Sequence, residues 1–193
     1  FTSEEAIAAF ELSDVSKNPA VFDTAKLEWM NGEYIRALPG SEFIERVRPH
    51  LVSGLGHELD EGQWAQFTQM APLIQERTKF FSDAADQVRF LFSDTVEYDE
   101  SSWSKVMDKE GVDDVLRVSA DKLGALATFD HDAVEAALRS MLEELEIGAR
   151  KGLQPLRVAV TGSQVSPPLF ESIAALGQAR TLARLAECRS RLS

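Results

Sequence analysis

An all-α fold is what this 193-residue sequence predicts, and three observations predict it. Apolar side chains recur at spacings of three and four along most of the chain, which gathers them on one side of a helix. Ser, Thr or Asp stands where helical patterns start, and Gly or Pro where they stop. No long alternating apolar and polar run, the mark of a half-buried strand, interrupts this pattern, and only 156–160, LRVAV, has the composition of a strand.

Residues 1–12 make a short helix, capped by Thr2 or Ser3, with Glu4 and Glu5 in its first turn and Ile7, Phe10 and Leu12 at helical spacing. A chain that opens inside a helix is expected to be cut from a longer one. Asn18 and Pro19 break it, and Asp23 or Thr24 caps a second helix whose Leu27, Met30, Tyr34 and Leu38 form a core stripe. Lys26, Trp29 and Asn31 fall elsewhere on it. Pro39 and Gly40 stop it, and Ser41 caps a third helix with Phe43, Ile44, Val47 and Leu51 inward and Arg46 and Arg48 opposite. The polar stretch 53–62, with three glycines, divides the chain into modules of 1–55 and 56–193.

In the second module Trp64, Phe67, Met70 and Ile74 mark a helix that Pro72 allows to bend, emerging at Arg77. Ser82 with Asp83 caps the next, whose Val88, Phe90, Leu91 and Phe92 are buried. Residues 93–103 are an acidic turn, a helix begins at 105–107, and 113–127 form another with Val115, Leu116, Val118, Leu123 and Leu126 inward. Asp130 caps an amphipathic helix with an apolar stripe through Val134, Leu138, Met141 and Leu145 and a charged one through Glu135, Arg139 and Glu143, its end bracketed by Gly148 and Gly152. Helices at 169–176 and 178–192, the last with Leu182 and Leu185 inward, complete a set of packed helices without internal repeats.

A hydrophobic content of 44% suits a globular core. No apolar run reaches the roughly 18 residues of a membrane span, and the acidic start lacks the basic region of a signal peptide, so a cytoplasmic protein with no membrane partner is expected. Cys188 alone allows no internal disulfide and no Cys-based zinc site, and is expected as a packing residue. His50, His57 and His131 lack metal-binding spacing, so no metal ligands are assigned. The net charge of −12 opposes a surface that coats nucleic acid throughout, but it is uneven. Residues 150–193 carry seven basic side chains against two acidic ones, while the preceding residues are strongly acidic.

The stretch 154–168, QPLRVAVTGSQVSPP, stands apart. Its Arg157, Thr161, Gly162, Ser163, Gln164 and Ser166, ahead of Pro167 and Pro168, make a donor-rich loop suited to phosphate oxygens and the edges of unstacked bases. The same composition fits a plain connector whose hydroxyls cap helices and whose Pro167 opens the next one. Arg77, a guanidinium able to pair bidentately with a base edge, could equally bridge to Glu76 or Asp83. Trp29 beside Lys26 could stack on a nucleotide or close the core half-buried.

The segment 154–185, QPLRVAVTGSQVSPP continuing through LFESIAALGQARTLARL, resembles the C-terminal end of bacterial glutamyl-tRNA synthetases. PAVFDTAKLEWMNGEYI at 19–35 and QERTKFFSDAADQVRFLF at 75–92 resemble earlier parts of the same family, in the family's order. The resemblance implies a class I synthetase C-terminal half: a stem-contacting helical region at 1–55, with Lys26 and Trp29 as stem contacts, and a helical-bundle anticodon-binding domain at 56–193. It implies that 156–160 is helical. It also implies anticodon contacts from Arg77, Arg157, Ser166, Pro167 and Leu169, with hydroxyls from Thr161 and Ser163. Where Ser166 stands the family often has Thr, so the hydroxyl is kept and a methyl lost.

Catalytic residues are not expected. The H-I-G-H signature and lysine-rich loop that serve ATP in this class are missing from the sequence, as is any P-loop, and Asp113 with Asp114 or Glu143 with Glu144 are splayed on helices. The resemblance thus implies a fragment inactive alone and without a cofactor, whose parent enzyme, a glutamate-tRNA ligase, would use ATP and Mg2+. The implied partners are tRNA(Glu) and the parent's catalytic domain, and the fragment is expected to be a monomer. The rival from another class is a helical protein-interaction module with an acidic surface and no RNA role.

Overall fold

The computed structural model describes residues 2–14 and 21–192, and the break expected at Asn18 and Pro19 lies outside them. The described residues form helices and connecting turns without strands: α1 Ser3–Ala9, α2 Thr24–Arg36, α3 Gly40–Leu55, α4 Glu61–Arg77, α5 Asp83–Phe92, α6 Glu100–Val106, α7 Val112–Gly124, α8 His131–Glu144, α9 Ala149–Thr161, α10 Leu169–Leu176 and α11 Gln178–Leu192, with a 3₁₀ turn at Leu12–Asp14. Side-chain caps fix several starts. Thr2 forms a reciprocal box with Glu5, Asp60 does so with Gln63, and Asp23, Asp99 and Asp130 each accept from the amide three residues on.

α3 packs on α4 and α5, α7 on α8 and α11, and α9 lies among α6, α7, α8, α10 and α11. Phe43, Leu51, Phe67, Ile74, Leu116, Leu138, Met141 and Leu156 are fully buried and belong to one continuous core. That central position explains 156–160. Leu156, Val158, Ala159 and Val160 are all sealed from solvent, so the one-sided helical period is lost and the run has the look of a strand, yet it is the last part of α9.

Several sequence expectations need correction. Leu27 and Tyr34 are exposed, and α2 buries Gly32 and Ile35 instead. This helix lies at the edge and touches α4, held by Gln75 Nε2, which donates to the carbonyls of Ile35 and Leu38 at 2.9 Å each. α3 continues through Gly54, where the Cβ of Ala85 fills the space a side chain would need. The acidic stretch 93–103 ends as α6, so 105–107 closes a helix instead of opening one. Gly152 does not end α8. It sits inside α9, where any Cβ would meet the Leu142 side chain.

The cationic end is largely consumed by structure. Arg184, 3% exposed, donates through Nη1 to the Val160 carbonyl at 2.7 Å and through Nη2 to those of Phe90 and Ser93 at 2.7 and 2.8 Å. Arg180 donates to the Leu91 and Ser93 carbonyls at 2.6 and 2.9 Å. Together they satisfy the orphan carbonyls ending α5 and α9 and lie at the negative ends of both dipoles. Burial pushes the Arg184 guanidinium down to about 10, with Arg180 adding to the effect, which leaves it charged at neutral pH. Arg189 pairs with Asp113 at 2.7 Å and Arg191 with Glu187 at 2.7 Å.

Replacing Arg184 with Met should cost at least about 3 kcal/mol in urea unfolding, because buried carbonyls on two helices lose their donors. Gly162 has a φ of 83°, and a Cβ there would lie 2.1 Å from the Glu97 carbonyl oxygen. Gly162→Ala is therefore expected to destabilise by about 2–4 kcal/mol, whereas Gly56→Ala, at a similar φ of 82° but in open space, should lose only about 1 kcal/mol.

Candidate functional site

α9 ends because Gly162 enters the left-handed region, and residues 163–168 then fold back over the last turn. The carbonyl oxygen of Ser166 in that return segment is met by two guanidinium groups. Arg77 Nη1, at the end of α4, donates to it at 3.3 Å, and Arg157 Nη1, from α9, at 3.3 Å. Arg157 Nη1 also reaches the Ser166 hydroxyl, and donates to the Pro167 carbonyl at 2.8 Å. The bridge to Glu76 or Asp83 weighed for Arg77 is not formed among the described ion pairs.

The hydroxyls of the loop hold its shape. Thr161 Oγ1 donates to the Arg157 carbonyl at 2.9 Å, the Val165 amide donates to Ser163 Oγ at 3.1 Å, and Ser166 Oγ donates to the Pro167 carbonyl at 2.9 Å. Across the other edge the Asp99 amide donates to the Gly162 carbonyl at 2.9 Å and the Gln164 amide to Ser102 Oγ at 3.0 Å. The far end is tied by Ser172 Oγ, which donates to the Pro168 carbonyl at 2.7 Å. The result is a stiff platform held from α6, α9 and α10, with the exposed Arg77 of α4 adding one longer contact at its edge.

Pro167 is buried and Leu169 is 5% exposed, so both support the platform from beneath in this conformation. The apolar group presented outward is Val165, 84% exposed, which the sequence reading left out. Its signal was a β-branched residue in the middle of a Gly, Ser and Pro loop. Ser102 and Asp99 were also missed as struts, since their partners are distant in sequence. Lys26 and Trp29 stand apart on α2, where the Trp29 ring is 59% exposed instead of closing the core. That helix meets the end of α4 through Asn31 Nδ2, which donates to the Lys79 carbonyl, and through a Glu28–Lys79 pair at 3.7 Å.

Electrostatically the site is a pair of like charges meeting on neutral oxygens. Burial lowers the pKa of the half-buried Arg157, and repulsion from Arg77 lowers it further, with Glu171 opposing. Arg77 is exposed and commits Nη1 alone to the described contacts, so most of its five donors remain for a ligand. An anion or a carbonyl-rich base edge placed here would relieve the repulsion.

Arg157→Lys should loosen the platform, because the shorter Lys stem leaves its ammonium about one bond short of the Nη1 position from which the Ser166 and Pro167 oxygens are met. The expected loss is about 1–2 kcal/mol in thermal unfolding, together with faster amide exchange at 163–166, while Arg77→Ala should leave both nearly unchanged.

A family model described as an anticodon binding domain matches residues 42–189. Glutamate-tRNA ligase of Streptomyces coelicolor is 41% identical over 197 aligned residues, covering all of this chain and 39% of that protein. The Saccharopolyspora erythraea glutamate-tRNA ligase is 44% identical over 189 residues, covering 96% of this chain and 37% of its own length. The chain thus spans about two fifths of the curated relatives it matches. A crystal structure of a glutamate tRNA ligase from Elizabethkingia meningosepticum shares the fold, with a TM-score of 0.76 at 21% identity, covering 98% of this chain and 37% of that one.

Proposed function

This chain belongs to the anticodon-binding-domain family, and from that premise we propose that Arg77, Arg157 and the 162–168 platform hold the unstacked anticodon of a glutamate tRNA. The observation that carries the proposal is the convergence of two guanidinium groups on the Ser166 carbonyl without a neutralising carboxylate among the described contacts. Bases splayed from a single-stranded loop are recognised by rigid donors on their edges and by apolar or planar surfaces against their faces. Arg77 supplies the open donors, Arg157 with Thr161, Ser163 and Ser166 fixes where they point, and Val165 supplies an outward apolar surface. Pro167 and Leu169 set the height of the loop.

Residues 1–55 would face the tRNA stem, with Lys26 and Trp29 as contacts, and 56–193 would hold the anticodon. The division near residue 55 is one of role, because Phe43, Val47 and Leu51 of α3 share a core with α4 and α5. The parent enzyme would be a class I glutamate-tRNA ligase of the cytosol that uses ATP and Mg2+ to join glutamate to its tRNA, with this part fixing the register of the acceptor end. Among the described residues no helix is long and apolar enough to cross a membrane.

Binding of a glutamate tRNA anticodon hairpin, against a hairpin with altered anticodon bases, is the test. The wild-type chain should prefer the first, and Arg77→Ala should lose about 10- to 100-fold of that preference, the worth of one bidentate base contact. Equal, weak affinity for every RNA would contradict the proposal and favour a protein-interaction module.

A further inference from the structure

Beside the platform lies an open cavity of about 520 Å3, walled by the junction of α6 and α7 and by the first two turns of α9. Its lining includes Lys105, Lys109, Arg150 and Lys151, with Glu110 as the one carboxylate. Almost every other basic side chain among the described residues is engaged: in ion pairs, as for Arg36, Arg46, Arg89 and Arg139; over an aromatic ring, as for Arg48; or on backbone carbonyls, as for Arg180 and Arg184. The side chains of these four make no hydrogen bond, ion pair or ring contact among the described residues, Lys105 acting on Asp99 only through its charge, and Lys26 is the one other such cation. That four of five unengaged cations line one cavity is not what a solvated, charge-balanced face produces.

Their placement is also unfavourable within the chain. Arg150 and Lys151 occupy the first turn of α9, at the positive end of its dipole, with no acid in that turn and no side-chain cap from Gly148. α7 opens on the same cavity from Gly111, again without a side-chain cap. The acids of its first turn are already taken, Asp113 by Arg189 and Asp114 by Arg117 at 3.1 Å. Gln154, also on the wall, has a buried side-chain oxygen without a partner.

Lys151, Gln154 and Arg157 follow one another at a spacing of three along α9, so each neighbours the next, and Lys151 precedes Arg157 by about 9 Å of helix rise. Gln164 belongs both to the platform and to the cavity wall. We infer that this cavity is a phosphodiester subsite that takes the sugar-phosphate backbone flanking the bases held at Arg77 and Arg157, with Gln154 accepting from a ribose hydroxyl. The inference rests on the anticodon-binding proposal above.

The test uses the 193-residue chain carrying Lys105→Gln, Lys109→Gln, Arg150→Gln and Lys151→Gln together, with hairpin affinity measured across a salt series. Cognate and altered hairpins should both weaken, about tenfold or more at low salt, and the slope of log K against log salt should become shallower by about 0.7 for each phosphate lost. The preference for the cognate anticodon should be unchanged. Two double variants, Lys105→Gln with Lys109→Gln and Arg150→Gln with Lys151→Gln, each showing part of the effect, keep the test decisive if the quadruple variant does not fold. Wild-type affinity and slope in the variants, with anticodon preference intact, would overturn the cavity alone. Loss of preference in the variants would overturn it too, by making the cavity part of base reading. Inorganic phosphate that stabilises the wild-type chain, but not the variants, at millimolar concentration would mark a small-anion site and also count against it. A wild-type chain without anticodon preference, whose variants still lose slope, would remove the function proposed above and leave the subsite standing.

Discussion

The Ser166 carbonyl is the point on which the site depends. A carbonyl oxygen has two lone pairs, and here both guanidinium groups reach it, one from the end of α4 and one from within α9. Two positive groups do not approach one another without compensation, and burial makes the approach harder for Arg157. Direct contacts supply compensation only through neutral oxygens, those of Ser166 and Pro167, with the Glu171 carboxylate acting on Arg157 through its charge alone. What remains is a surface poised for a ligand richer in acceptors than water, and RNA presents such acceptors in its phosphates and base edges.

For that geometry to persist, α4 and α9 must keep their spacing. Arg184 contributes by tying the end of α5, which packs on α4, to the end of α9 from a buried position on α11. Gly162 adds to this by letting the chain turn directly against the Glu97 carbonyl. A loop fixed at both edges loses little conformational entropy when it binds, which favours discrimination between similar ligands. The same economy explains why Arg180, Arg184, Arg189 and Arg191 are poor candidates for RNA contacts despite their charge, since each is held by carbonyls or carboxylates of the chain itself.

Much of the fold was legible in the sequence. Caps at Asp23 and Asp130 are local hydrogen bonds, and they appear where short polar residues precede apolar periodicity. The misplacements have local causes. The Leu27 and Tyr34 stripe is periodic but no helix among the described residues covers it, and periodicity cannot show what lies opposite. Gly152 resembles a helix stop because its reason, the Leu142 side chain pressed against it, comes from another helix. Of the site, Arg77, Arg157 and Ser166 could be named from the sequence pattern and its family resemblance. Their shared oxygen, the internal engagement of the hydroxyls and the outward Val165 could not, because they depend on how the return of the loop over α9 is packed.

The most direct test of the central claim is a structure of this chain bound to an RNA hairpin bearing the glutamate anticodon. The account predicts unstacked anticodon bases within hydrogen-bond distance of Arg77, resting on the 162–168 platform around Val165, with the platform backbone unmoved. An RNA bound elsewhere on the surface, or a platform that must unfold before Arg77 and Arg157 can reach a base, would contradict it.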